Sequence, residues 1–271
     1  MSRPFYSARG IHVEMYTHRT EVRENPVIAG DIEFYLERTR ESGAPVIELG
    51  CGSGRIALPL ARAGFETTGI DISEPMLGLA KERRADEPEP ARHRLTLLRG
   101  DMRAIDLGTT FQTAIIAFRS FQMLQSAEDQ RACLESVRRH LAPGGRLLVD
   151  IFDPLLDRLV PGTVAESAQP IDRTRNPRTG NWIEVETVRR ENDIVRQLFR
   201  EVWRFTERDN RGLILRQEEE VLTMRWLYRW EMRYLLELCG FEVEAEYSDY
   251  AGAAPAYGRE QIYVARAVGD R

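Results

Sequence analysis

Three glycines, each separated by one residue, form the run Gly50-Cys51-Gly52-Ser53-Gly54 directly after the apolar stretch Val46-Ile47-Glu48-Leu49. Glycines after a strand admit positive φ and let the backbone approach a ligand closely. A helix starting there adds unpaired N–H groups and partial positive charge, which suits a carboxylate or a phosphate. A tight strand-to-helix turn without a ligand would use the same residues, so the loop alone leaves both readings open. A dinucleotide turn needs Gly-x-Gly-x-x-Gly, and its last glycine would fall on Arg55. The spacing therefore argues against pyrophosphate. Glu48 lies inside the apolar stretch, where a carboxylate needs a partner. Either Arg55 pairs with it, or it faces a ligand's ammonium group. Asp71 ends the next apolar run, placed to accept bonds from ribose hydroxyls. Its other reading is a helix N-cap, for which Ser73 competes. Asp101 follows Gly100 after a third run. It is placed to accept from an adenine amino group while the Met102 amide meets a ring nitrogen, although Gly-Asp is also an ordinary turn.

The elements that must position these residues alternate in type. Strands are expected at Val46–Leu49, Phe65–Ile70, Leu95–Leu98, Thr113–Phe118 and Arg146–Phe152. Helices are expected at Ile56–Ala63, Pro75–Arg83 and Ala127–Leu141, with a polar loop at Asp86–Pro90 and a turn at Pro143-Gly144-Gly145. Such alternation gives a parallel sheet with helices on both faces. Ligands of such sheets bind at the carboxyl ends of the strands. Gly50, Asp71, Asp101, Arg119 and Asp153 all fall just after expected strands, which argues for one site there. The first 45 or so residues read as helical, with Ile32, Tyr35 and Leu36 on one face. After about residue 155 the pattern changes to β-formers at Trp182–Val188, Ile194–Phe205 and Leu213–Trp226, separated by turn signals. This reads as an antiparallel meander inserted in the α/β domain, a lid or dimerisation element, with Glu218-Glu219-Glu220 as a solvated face. A helix at Trp230–Cys239 and strands at Phe241–Tyr247 and Gln261–Ala267 complete the α/β pattern. The expected organisation is a helical cap (1–44), an α/β core (45–153), the β insertion (154–228) and a C-terminal completion of the core (229–271).

Taken in order, Val46–Gly54, Gly69-Ile70-Asp71-Ile72-Ser73 with Met76-Leu77, Gly100-Asp101-Met102 and Leu141–Leu147 resemble the motif series of class I, S-adenosylmethionine-dependent methyltransferases. The resemblance is strong over about 45–153 and weaker through Gly240-Phe241. It implies a Rossmann-like seven-stranded sheet in the order 3-2-1-4-5-7-6, with the β meander inserted after strand five. It also implies S-adenosylmethionine as methyl donor. By motif position, Glu48 and the loop (Gly50, Cys51, Gly52, Gly54) would face the methionine part and Asp71 the ribose. Asp101 and Met102 would face the adenine, with Ile72 packed on its ring and Met76 and Phe118 alongside. Ala117-Phe118-Arg119-Ser120-Phe121-Gln122 and Asp150–Pro154 further resemble a bacterial small-molecule branch, a group that includes sugar-amine N-methyltransferases with β-rich insertions. That branch often carries His where Met123 stands, so a base at that position is in doubt. The Asn/Asp-Pro-Pro-aromatic motif of nucleic-acid amine methylation is absent after strand four.

Methyl transfer asks the protein chiefly for alignment, which supplies roughly 7–11 kcal/mol. A general base adds about 10²–10⁴-fold, but only if the nucleophile arrives protonated. Candidates for touching the acceptor are Arg119, Ser120 and Gln122 after strand four, Tyr6, His12, Tyr16 and His18 near the N-terminus, and Trp226, Tyr228 and Arg229 after the meander. Of these, Arg119, Gln122, Tyr16 and Tyr228 are the catalytic candidates; core packing or a structural ion pair is the competing reading of each. The net charge is −5 over 271 residues, with no basic surplus for nucleic acid. Three scattered cysteines give neither a disulfide framework nor a zinc site, so no metal is expected. No apolar stretch is long enough to span a bilayer, and the N-terminus lacks a signal-peptide core. The expected protein is cytoplasmic, acts on a small-molecule methyl acceptor as an N- or O-methyltransferase, and is favoured as a homodimer by the exposed edges of its meander. A non-catalytic module of the same fold and a nucleotide-cofactor oxidoreductase are the rival classes.

Overall fold

The computed structural model describes residues 3–22, 28–159, 162–165 and 172–269. The chain divides into two compact units, Pro26–Leu155 with Trp226–Arg271 and Met1–Asn25 with Leu156–Arg225. In chain order it begins with β1 (Arg3–Pro4), α1 (Ile11–Thr17), α2 (Asp31–Ser42), β2 (Val46–Leu49), α3 (Ala57–Arg62), β3 (Thr67–Asp71) and α4 (Glu74–Ala85). Next come α5 (Glu89–Arg94), β4 (Leu95–Arg99), β5 (Phe111–Ile116), α6 (Ala127–His140) and β6 (Leu141–Phe152). Then follow β7 (Gly162–Ala165), β8 (Asp172–Arg175), β9 (Trp182–Asp193), β10 (Leu198–Arg208) and β11 (Ile214–Arg225). The chain closes with α7 (Arg229–Leu238), β12 (Phe241–Tyr247) and β13 (Glu260–Ala267).

The larger unit holds a seven-stranded sheet in the order β12-β13-β6-β5-β2-β3-β4. Numbered within the sheet and read from β4, this is the expected 3-2-1-4-5-7-6. β2, β3, β4, β5 and β6 are parallel, while β13 runs antiparallel to both β6 and β12. All four residues of β2 are buried, as befits a central parallel strand covered on both faces. Side chains alternate between the faces. Leu147, Val149 and Ile151 of β6 join Leu134 and Val137 of α6 and Met232 and Leu236 of α7 in one core. Leu148 faces the other way, into a core with Phe34 and Tyr35 of α2, Ile56 just before α3 and Leu60 within it. Truncating such a side chain to Ala costs about 2–5 kcal/mol. The period-2 pattern puts Glu48 and Asp150 on this second face as well, beside Val46 and Leu148. Ser73 caps α4 by accepting from the Met76 N–H at 3.3 Å, and Ser126 caps α6 by accepting from the Asp129 N–H at 3.0 Å.

Several local expectations are corrected. The last two residues of the stretch taken as a polar loop, Glu89-Pro90, begin α5, where Pro90 fits the first turn and Ala91 is buried against α3. Pro143–Gly145 is not a free turn before a strand but a bulge inside β6. The pairing shifts from Phe111↔Leu141 to Thr113↔Arg146, and Gly145 lies so close to the Phe111 and Gln112 carbonyls that a Cβ would stand within 3.2 Å. Strand four stops at Ile116, short of Phe118.

The smaller unit is a six-stranded sheet, β1-β11-β10-β9-β7 with β8 also paired to β9. β9, β10 and β11 form the expected antiparallel meander. β7, β8 and the parallel edge strand β1 were not expected, and a π-helical turn follows α1 at His18–Val22. The N-terminal region is thus not purely helical, because Arg3–Pro4 completes the open edge of β11. Ile11 and Met15 of α1 pack with Ile183, Val185 and Phe205. The acidic run on β11 is also not a solvated face. Glu220 is fully buried, bonded to His12 at 3.0 Å; Glu218 accepts from the Ile11 N–H at 3.0 Å, and Glu219 pairs with Arg204. Strand alternation turns Glu220 inward, where α1 supplies the partner that a buried carboxylate needs.

Candidate functional site

Within the larger unit, the glycine run leaves β2 as a tight turn in which Gly50, Gly52 and Gly54 have φ of +74°, +54° and +77°. Side-chain residues rarely adopt such angles. Gly50 is constrained a second way, since a Cβ there would stand 2.7 Å from the Ser120 side chain. The Met102 and Met76 side chains close on the loop at Gly50 and Gly52. Cys51 is buried with its Sγ against Gly69 of β3, and Gly54 faces Leu58 and Ala80.

Two carboxylates flank this loop. Glu48 is 3% exposed, and its Oε2 has no hydrogen-bond partner among the described residues. Burial drives its pKa up to about 8, against the pull of the Arg55 charge and the Ala57 N–H. Arg55 is committed instead to Asp31, with contacts of 2.9 and 2.6 Å. Asp71 accepts the Gly52 N–H at 2.7 Å and the Ser73 N–H at 2.8 Å, so it ties the loop to β3. Burial raises its pKa, and these N–H groups oppose the rise. The N-cap role falls to Ser73. Ile72 is 63% exposed at the end of β3, an apolar surface open to a ring. Asp101 is held by Arg103 through both oxygens, and Arg103 also reaches Asp129. The Arg103 bonds lower the Asp101 pKa.

After β5 the backbone takes an unusual path. Phe118 and Arg119 have φ of +52° and +65°, and a non-glycine residue so placed costs about 1–3 kcal/mol. Asp150, 1% exposed on β6, accepts the Phe118 N–H at 2.7 Å, the Arg119 N–H at 2.9 Å and the Tyr35 hydroxyl at 2.5 Å. The Arg55 guanidinium lies over the Phe118 ring, and the Arg119 side chain pairs with Glu260. Gln122 is fully buried; its Oε1 accepts the Phe152 N–H at 2.9 Å, and its Nε2 has no partner.

Beyond Glu260 lies a cavity of about 220 Å³ lined by Asp153, Glu246, Glu260, Tyr247, Tyr257 and Arg229 among others. Glu246 is neutralised by Arg229 and Arg233, and Glu260 by Arg119. Asp153 instead takes neutral donors, the Gly258 N–H at 2.7 Å and the Gln261 amide at 2.8 Å. Burial raises the Glu260 pKa, opposed by Arg119. Of the other candidates, Tyr228 is 44% exposed before α7 and Trp226 is buried. Tyr16 belongs to the smaller unit, in an aromatic cluster with Tyr6 and His12. His18 of that unit bonds Thr174 at 3.2 Å.

The structure therefore gathers Glu48, Gly50, Gly52, Gly54, Asp71, Met76, Met102, Phe118, Arg119 and Ser120 along one sheet edge. The sequence reading missed Asp150 and Tyr35. A signal was present, since Asp150 interrupts Leu147-Leu148-Val149 and Ile151-Phe152 as Glu48 interrupts its own strand.

Comparison with known proteins follows the same geography. Residues 46–145, which span the loop, Asp71, Asp101 and the segment after β5, match a methyltransferase domain model. A cypemycin N-terminal methyltransferase from a Streptomyces species is 29% identical over 54% of this chain and 58% of its own length. A dTDP-3-amino-3,4,6-trideoxy-alpha-D-glucopyranose N,N-dimethyltransferase from Streptomyces venezuelae is 30% identical over 45% and 48%. The chain thus spans about half the length of these two relatives. The solved structure of the CcbJ methyltransferase from Streptomyces caelestis is 25% identical, with a TM-score of 0.72 over 90% of this chain and 97% of that one.

Proposed function

Because this chain belongs to the class I, S-adenosylmethionine-dependent methyltransferase family, we propose that it methylates the nitrogen of a small-molecule amine. The observation that carries the cofactor half of this reading is the buried Glu48 oxygen, without a donor among the described residues, beside a loop whose three glycines all take positive φ. An ammonium group satisfies that oxygen and favours the ionised carboxylate that burial disfavours. The glycine loop would lie against the methionine part, Asp71 would hold the ribose, and Ile72 and Met102 would face the adenine. Asp101, already held by Arg103, presents its remaining lone pairs at that end.

When bound, S-adenosylmethionine supplies a sulfonium-activated methyl carbon open to in-line displacement. The residues of this chain then have three tasks. Ser120 and Gly50 fix the distance between the glycine loop and the segment after β5. Asp153 supplies a carboxylate, without a cationic partner among the described residues, that holds an amine by charge and hydrogen bond. Tyr247 and Tyr257 add aromatic surface to the cavity wall. An amine can shed its proton before reaction, so no strong base is required. The acidic residues Asp153, Glu246 and Glu260 in the cavity lining support an amine acceptor.

The test is transfer of radiolabel from S-adenosylmethionine to a panel of small amines, amino sugars included, beside matched alcohols. Labelled amines and unlabelled alcohols are the expected result. Labelling of the alcohols alone would overturn the amine reading. Absence of cofactor binding at millimolar concentration would overturn the function altogether.

A further inference from the structure

We infer that Asp150 is a positioning residue: by accepting the N–H groups of two successive left-handed residues, Phe118 and Arg119, it sets the segment that joins the glycine loop to the acidic cavity. The inference rests on the functional reading above.

The argument starts from the backbone. Neither Phe118 nor Arg119 is glycine, yet both take positive φ. Such a conformation persists only where its surroundings over-determine it. Here the two strained N–H groups converge on one buried carboxylate, at 2.7 and 2.9 Å. A third donor, the Tyr35 hydroxyl on α2, holds that carboxylate from the helix side at 2.5 Å. Asp150 therefore has both oxygens engaged by donors from the fold itself. Its effect passes through the segment it grips. On one side of that segment, Ser120 packs so closely on Gly50 that no side chain fits between them. On the other side, Arg119 reaches Glu260 in the cavity wall. Losing the carboxylate leaves two part-buried N–H groups without this acceptor and removes what holds the positive φ angles. The segment then relaxes, and Ser120 moves against the cofactor loop.

This predicts a coupling that a plain loss of packing does not. In Asp150→Ala the affinity for S-adenosylhomocysteine, measured by calorimetry, should fall at least tenfold. Glycine takes positive φ without help. The double variant Asp150→Ala with Arg119→Gly should therefore bind at least about threefold more tightly than Asp150→Ala alone, since one of the two left-handed residues no longer needs to be held. An unchanged affinity in Asp150→Ala overturns the proposal, and so does a double variant no better than the single one. Asp150→Asn provides a milder arm that keeps the volume but points a donor at one N–H. Amide exchange at Phe118 and Arg119 in the free protein should then accelerate at least 100-fold, while α6 amides keep their protection. Unchanged exchange overturns the proposal. If the parent protein fails to bind S-adenosylhomocysteine, the functional reading falls, and the exchange measurement decides the role of Asp150 by itself.

Discussion

The two halves of the sheet's carboxyl edge solve the same problem in different ways. Each places a carboxylate inside an apolar strand and on the same face, Glu48 on β2 and Asp150 on β6. Over β2, β3 and β4, Glu48 keeps one oxygen without a donor, and burial pushes its pKa to about 8. Over β5, β6 and β13, Asp150 receives three donors, one of them from a helix 115 positions earlier in the chain. A buried acid that lacks a donor is poised for a ligand that brings one, whereas a saturated acid holds backbone. The first half is thus built to receive charge and the second to keep a strained segment in place.

The strongest way to break this contrast is Gly50→Ala. The new Cβ would meet Ser120 at 2.7 Å on a residue with φ of +74°. Left-handed strain and overpacking together should cost roughly 2–4 kcal/mol of stability, with roughly a 100-fold or larger loss of cofactor affinity. Thermal unfolding and calorimetry would show both losses, and near-parental values would mean that the two loops do not meet as described.

Glu48→Gln should come next, with affinity for S-adenosylmethionine down about 10–100-fold, as expected for a lost bond between charged groups. Its pH dependence sharpens the test. The folded pKa of about 8 lies above the ordinary 4.5, so ionising Glu48 destabilises the free protein progressively as pH rises between those values. The variant should therefore melt above the parent at pH 8 and approach it near pH 4. Parental affinity should climb as pH rises toward 8, whereas that of the variant should stay flat. A variant less stable at pH 8 would contradict the assignment.

On the other half, Asp153→Asn should raise KM for an amine about tenfold, the scale of one charge-assisted hydrogen bond, while leaving cofactor affinity within about twofold. Equal losses in both parameters would place Asp153 outside the acceptor cavity's function. The smallest change is expected for Arg103→Gln, where a partly exposed ion pair worth about 0–1 kcal/mol is lost. Cofactor affinity should shift less than about threefold, and a larger shift would mean that the Arg103–Asp101 pair orients the adenine end.

Much of the cofactor half could be read directly from the chain. Val46–Gly54, Gly69–Asp71 and Gly100–Asp101 are each a strand with its following turn, so local residue types carry the signal. Glu48 was singled out for the same reason, but that Arg55 would pair with Asp31 on α2 was not visible. The other half hides its logic in distant pairs. Arg119 and Glu260 lie 141 positions apart, and the left-handed backbone at Phe118 and Arg119 has no glycine or asparagine to announce it. In the smaller unit the same limit turned Glu218-Glu219-Glu220 into an apparent surface run, until α1 brought His12 against the buried Glu220.

What the sequence alone determined was the alternation of strands and helices, the glycine loop and the acids at the strand ends, since these depend on periodicity and on what each residue type permits locally. Tertiary structure alone decided which buried carboxylate is satisfied and which is not. A donor's arrival depends on the whole fold, and Glu48 and Asp150 have the same character as sequence but opposite environments as structure.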